Sequence, residues 1–291
     1  METITKHILV PVDFSEKSEY GLQMAASLLE NNGGEVTVLN VLKGVDPVWS
    51  ESFSDKERSE LLTKINKHLC SFAERYIDSS RFKLNCVIEK GKLCDTILGK
   101  AYELSASVII MGTSTADNIK KRIIGTNALR VVSESQCPVI TLKQKPIDGG
   151  IKRIILPLDI TKESREKTMT AVGLAKENNA EIFLVSAYTI NDNNVLHKLE
   201  NYQKQVVDFI QNNGVKVTSN LLKLEDRVDG VLDFIEQHNG DIILITTHQQ
   251  LDIVDKFLGS FAQSIIKEAK IPVMSIVPKL KHFVVFKLPA S

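Results

Sequence analysis

The sequence predicts an α/β fold made of two tandem domains, each a parallel sheet flanked by helices. Three observations point to it. First, the chain repeats itself: HILVPVDFSEKS (His7–Ser18) returns as RIILPLDITKES (Arg153–Ser164), and GTNALRVVSESQCPVITL (Gly125–Leu142) returns as GSFAQSIIKEAKIPVMSI (Gly259–Ile276). Second, short β-branched runs alternate with longer amphipathic stretches, which is how strand–helix–strand units with right-handed crossovers read in sequence. Third, a length of 291 residues suits about two domains.

In the first repeat, strands are expected over 7–12, 35–42, 82–88, 107–112 and 138–142. Each is nearly continuous in apolar residues, as strands buried on both faces are. Ser15 opens the first helix, because its hydroxyl can accept from the unpaired N–H groups of the opening turn. Leu22, Ala25, Ala26, Leu28 and Leu29 give that helix one apolar side, and Asn32-Gly33-Gly34 ends it. A second helix is expected over 55–78 on Leu61, Leu62, Ile65, Leu69, Phe72 and Ala73. A third, over 92–105, rests on Leu93, Ile97, Leu98 and Ala101, and a fourth, over 126–136, on Ala128, Leu129, Val131 and Val132.

The second repeat places strands over 152–158, 181–187, 215–222, 241–247 and 272–277, with a shorter middle. The extra residues in the first repeat carry Trp49, the one tryptophan, which reads as loop packing or a cap on a cleft or partner surface. KQKPIDGGIK (Lys143–Lys152) is the joint, broken by Pro146 and Gly149-Gly150. Domains are therefore expected over 1–144 and 150–278, with a tail over 279–291. The apolar core of the tail, Phe283–Phe286, reads as an extra edge strand or as a strand seeking another chain.

Lys+Arg and Asp+Glu balance at 36 each, for a formal net charge of +0. No basic field exists to hold a nucleic acid backbone. Cys70, Cys86, Cys94 and Cys137 form no CxxC pair, and free thiols in a reducing cytosol are expected rather than a zinc site. No signal sequence or membrane-length apolar run is visible, so a cytoplasmic protein with no membrane partner is expected. The histidines are scattered. No Ser-His-Asp order, GxSxG elbow or complete phosphate-binding GxxxxGK[ST] loop appears, so no catalytic or metal-ligating residue is assigned.

In open parallel sheets ligands bind outside the carboxyl ends of the strands, where strand order reverses. Asp13, Gly112 and Asp159 stand at such ends. Gly112 closes a strand, and Gly125-Thr126 opens the next helix, where unpaired N–H groups favour an anion. Two readings of Thr126, and of Ser260 in the second repeat, stand at this point: donor to a phosphate, or N-cap of its own helix. Asp13 and Asp159 likewise read as ligand contacts or as loop carboxylates serving the next helix start.

The ordered set ILVPVDFSEKS, GKLCDTIL and VIIMGTS…GTNALRVV…CPVITL resembles the universal stress protein family. So does its copy IILPLDITKES, EDRVDGVL and IILITTHQ…GSFAQSII…IPVMSI. The tandem form of that family is implied, over nearly the whole chain before the tail. The resemblance implies two Rossmann-like domains of the adenine nucleotide alpha hydrolase type, each a five-stranded parallel sheet of order 3-2-1-4-5. It further implies a stress-response role without catalysis, a tendency to dimerise, and packing of the two domains as an internal pseudo-dimer. In family members that hold ATP, a pattern of Gly, two residues, Gly, nine residues, Gly and Ser or Thr cradles the phosphates.

Here Gly112 and Gly125-Thr126 keep that register, but Thr115 replaces the middle glycine. The implied site in the first domain is Pro11, Asp13, Val41, Gly112, Thr113, Thr115, Gly125, Thr126 and Asn127, taking ATP with magnesium. Lys120, Lys121 and Arg122 read as support for the phosphates or as a solvated face. The second site, Asp159, Thr246, Gln249, Gly259 and Ser260, has lost two of the three glycines, and Asp252 and Asp255 would repel a triphosphate. A nucleotide-dependent switch or slow ATP hydrolase, and a binder of another small ligand in the adenine cleft, stand beside the passive nucleotide binder.

Overall fold

The computed structural model describes residues 7–44, 53–113, 125–158, 163–188, 193–223, 226–247 and 258–277. The first repeat runs β1 (His7–Pro11), α1 (Glu16–Asn32), β2 (Glu35–Leu42), α2 (Asp55–Ala73), β3 (Lys83–Lys90), α3 (Leu93–Glu103), β4 (Val108–Gly112), α4 (Thr126–Glu134) and β5 (Val139–Leu142). The second runs β6 (Arg153–Leu158), α5 (Glu163–Asn178), β7 (Glu181–Tyr188), α6 (Asn193–Asn212), β8 (Val217–Lys223), α7 (Arg227–Gln237), β9 (Ile242–Thr246), α8 (Ser260–Glu268) and β10 (Val273–Ile276). Trp49, Thr115, Lys120–Arg122, Asp159, Gln249, Asp252, Asp255 and the Phe283–Phe286 run lie outside the described residues.

Local chemistry explains the helix ends. Ser15 caps α1 by accepting from the Ser18 N–H, and Gly33, at φ +68°, turns the chain out of it. The left-handed turn is built again after α5, where Asn179 takes φ +48°. Ser54 and Glu57 close a reciprocal capping box at α2. That helix stops at Ala73, short of the expected 78. Tyr76 and Ile77 both donate their N–H to the Ala73 carbonyl, a tightened turn that still buries Ile77 completely.

Each half has strand order 3-2-1-4-5, yet the halves do not form two separate sheets. Among the described residues the order is β3-β2-β1-β4-β5-β10-β9-β6-β7-β8, ten strands in one sheet. The joining pair is antiparallel, with Val139 opposite Ser275, Ile140 opposite Met274 and Thr141 opposite Val273. All four residues of β5 and all four of β10 are buried. Two short edge strands with unpaired backbone groups thus satisfy each other.

Helices α1, α2, α5 and α6 cover one face through Leu22, Leu28, Leu69, Phe72, Val172 and Ile210. Helices α3, α4, α7 and α8 cover the other through Ile97, Val131, Phe234 and Ile265. Across the seam α1 meets α5, where Asn31 Nδ2 donates to Asn178 Oδ1 at 2.9 Å.

The thiols differ from expectation. Cys70 on α2 and Cys86 on β3 are disulfide-bonded, with Cα atoms 5.7 Å apart. Sequence spacing hid this, because the two meet only when α2 folds back over its neighbouring strand. Cys94 and Cys137 are not disulfide-bonded, and Cys94 is buried.

Candidate functional site

The β1–β4 ladder covers only Ile8 opposite Val108 and Leu9 opposite Ile109. Beyond that the strands part, and this is the point where strand order reverses. Val12 turns its N–H toward β2, bonding the Leu39 carbonyl. Backbone direction alternates along a strand, so Pro11 turns its carbonyl into the parting beside Gly112. The crevice is thus floored by backbone polar groups that no ladder consumes.

Asp13 stands at its lip on the β1–α1 turn. Its Oδ1 accepts from the Ser15 N–H (3.1 Å), the Ser15 hydroxyl (2.5 Å) and the Ser18 hydroxyl (2.5 Å). Burial pushes the carboxyl up, but the hydrogen bonds from Ser15 and Ser18 outweigh it and hold Asp13 below its ordinary value. The carboxylate is therefore ionised and fixed, and it is exposed toward solvent. The turn is set by Phe14, which takes φ +63°. This conformation disfavours a bulky side chain; here the ring lies on His68 (4.9 Å between centroids) and edge-on to Phe72 (5.4 Å).

Gly112 is required by packing. A Cβ there would come within 2.2 Å of the Lys17 carbonyl oxygen, so α1 crosses directly over the strand end. Thr113 is buried; its N–H and hydroxyl both meet the Leu142 carbonyl, at 2.7 and 3.1 Å. Thr247 repeats both contacts with Ile276. These hydroxyls tie the fourth strand of each half to the fifth.

The two readings of Thr126 and Ser260 separate here. The cap residues of α4 and α8 are Gly125 and Gly259, and Thr126 and Ser260 are the first helical residues. Neither hydroxyl is the cap, and glycine brings no side chain to the opening N–H groups. Asn127 instead faces α3, where the Cys94 thiol reaches its Oδ1 at 3.5 Å. Val41 is half-buried near the end of β2 and packs toward α3 and α4.

One residue escaped the sequence reading. Asn40 is buried on β2, and its Nδ2 donates to the Val12 carbonyl at 2.7 Å, just before Asp13. Its Oδ1 has no partner among the described residues. The signal was an amide inside the apolar run VTVLNVL, and a buried polar residue is the informative kind.

Two surface concavities lie away from this point, one where α1 meets the 145–150 linker and one at the amino ends of β6 and β7. The site is placed at the strand ends because backbone groups left out of the ladder converge there. Among the described residues no three His, Cys, Asp or Glu side chains gather as a metal site would need. No helix among them is long and apolar enough to cross a membrane.

A doubly wound sheet that parts at its switch point, built twice in one chain, defines a tandem protein of the open-sheet α/β class. The model of the Universal stress protein family matches residues 5–143 and again 150–276, and the chain belongs to that family. Universal stress protein MJ0577 of Methanocaldococcus jannaschii is 25% identical over 160 residues, covering 50% of this chain and 99% of that protein. A Putative universal stress protein of Staphylococcus aureus strain USA300 is 24% identical over 170 residues, covering 56% and 96%. A universal stress protein from Archaeoglobus fulgidus DSM 4304 superposes with a TM-score of 0.75 at 18% identity, over 96% of this chain and 98% of that one. A putative universal stress protein from Pseudomonas aeruginosa UCBPP-PA14 gives 0.67 at 13% identity.

Proposed function

We propose that this chain is a cytoplasmic, non-catalytic stress-response protein whose first domain binds ATP with magnesium. The observation that carries the reading is the fixed, exposed Asp13 carboxylate at the parting of β1 and β4, and the reading adds to it the start of α4, which has no capping side chain. The α4 N-terminus offers backbone donors and the positive end of its dipole to phosphates. Asp13 and Val41 then serve the nucleoside. Asp13 accepts from hydroxyl or amino groups on its second oxygen, and Val41 supplies apolar contact. Gly112, Gly125 and Thr126 serve the phosphates, and Thr115 must make the turn that a glycine makes in the ATP-holding pattern. Pro11 contributes its carbonyl and Asn127 its place in the first turn of α4. The units 1–144 and 150–278 act as the two domains. A second copy of the chain is a partner consistent with the family.

The test is a thermal melt of the purified chain with MgATP. A ligand at about 100 times its Kd adds about 2.7 kcal/mol to stability. The melting point is expected to rise with MgATP, and Gly125→Val is expected to abolish the rise. No rise at millimolar MgATP overturns the reading. Phosphate release above the buffer rate would favour a slow hydrolase over a passive binder.

A further inference from the structure

The crevice of the second domain is built on the same plan, and something already sits in it. The stretch from the first to the second strand has equal length in both repeats. His7 pairs with Glu35, and Arg153 pairs with Glu181. This register places Lys167 of α5 where α1 has Gly21.

Gly21 looks into the parting of β1 and β4. A Cβ there would stand 3.4 Å from Val10 Cγ1, 3.7 Å from the Ile110 carbonyl oxygen and 3.9 Å from the Gly112 nitrogen. Any longer side chain at that position must therefore run into the crevice. Lys167 does so. It is 3% exposed, and its ammonium donates to the Pro157 carbonyl oxygen. Pro157 is the counterpart of Pro11, and the β6–β9 ladder stops at Ile155 opposite Ile243. By the same alternation the Pro157 carbonyl faces the gap, where a continued ladder would have met the Thr246 N–H.

The two substitutions fit each other. In the first domain the helix lies so close that nothing larger than glycine fits at 112. In the second, Lys167 stands in place of Gly21 and Thr246 in place of Gly112, and both are buried.

We propose that Lys167 is the resident occupant of the second domain's crevice, so that the chain takes one nucleotide, in its first domain, and none in its second. This rests on the nucleotide reading of the first domain. A ligand entering the second crevice would have to displace a buried, hydrogen-bonded ammonium, whose removal from its partner is costly.

The test has two arms. In the first, equilibrium dialysis of MgATP against the full chain counts sites. One site per chain is expected, more than 100-fold weakened by Gly21→Lys and retained by Gly21→Ala, whose Cβ makes only ordinary contacts. Two sites in the unsubstituted chain, or full affinity in a folded G21K variant, overturns the proposal. The second arm uses no nucleotide and no variant. A succinimidyl ester is applied to the native chain, and lysine acylation is followed by peptide mass spectrometry. Lys167 is expected to react at least 100-fold more slowly than Lys216, whose side chain is 78% exposed, and to react normally after unfolding. Equal rates in the native chain overturn the proposal. Absence of MgATP binding together with a protected Lys167 would instead remove the ATP reading while leaving the lysine in its crevice.

Discussion

Asp13 shows how a single residue joins local structure to the site. Three donors from Ser15 and Ser18 converge on one oxygen, which leaves the other for a ligand and lowers the carboxyl below its ordinary value of 3.8. A group with a depressed folded value stabilises the fold above its unfolded value, and that contribution is lost as pH falls through the folded one. Asp13→Asn is therefore expected to be less stable than the parent at pH 6, and the difference should close as urea denaturation is repeated toward pH 2.5. A constant difference across that range would show that the charge is not the cause. Gly112 tests packing. Gly112→Ala drives a Cβ against the Lys17 backbone, which cannot swing aside as a side chain could. A loss of about 1–3 kcal/mol is expected by the same denaturation. At this scale the sequence showed which residues stand at the strand ends but not which way they face. Thr113 stood in the implied nucleotide site and is a buried tie to β5; Asn40 looked like part of a strand and holds the turn before Asp13. Direction depends on the parting of β1 and β4, which no local pattern records.

Elements were more legible than residues. Strands buried on both faces left continuous apolar runs, and the helices of the first repeat carried apolar stripes, so their positions could be read within a few residues. The end of α2 was misplaced because Ile77 continues the apolar spacing while the backbone has already tightened into a turn. The bond between Cys70 and Cys86 was invisible for a related reason: it joins a helix to a strand, and only the α2–β3 packing brings them together. It closes a sequence separation of 16 residues, for which restriction of the unfolded chain amounts to about 3 kcal/mol. Reductant is expected to lower the melting point of the oxidised chain, and Cys70→Ser to remove that sensitivity. An identical melting point with and without reductant would mean that packing of Leu69, Phe72 and Ala73 and the Asn66 hydrogen bond to the Cys86 carbonyl hold α2 without the disulfide.

For the whole molecule, the repeat announced two domains but not their union in one sheet. That depends on β5 and β10 being edge strands of like length; the implied order 3-2-1-4-5 put them at edges but did not say which edges would meet. A chain cut after residue 147 would uncover β5, four buried residues with half their backbone groups unpaired. Sedimentation of that fragment is expected to show a dimer, one β5 taking the place of β10, and a monomeric fragment would count against the seam as the main adhesive. The seam has a further consequence. In an assembly of two identical chains every substitution appears twice, so a change that blocks one pocket blocks both. Once the two halves share a single chain, the symmetry is only approximate and each half can be edited alone. A glycine at 21 can coexist with a lysine at 167, and the pair can keep one working half beside one that serves as scaffold.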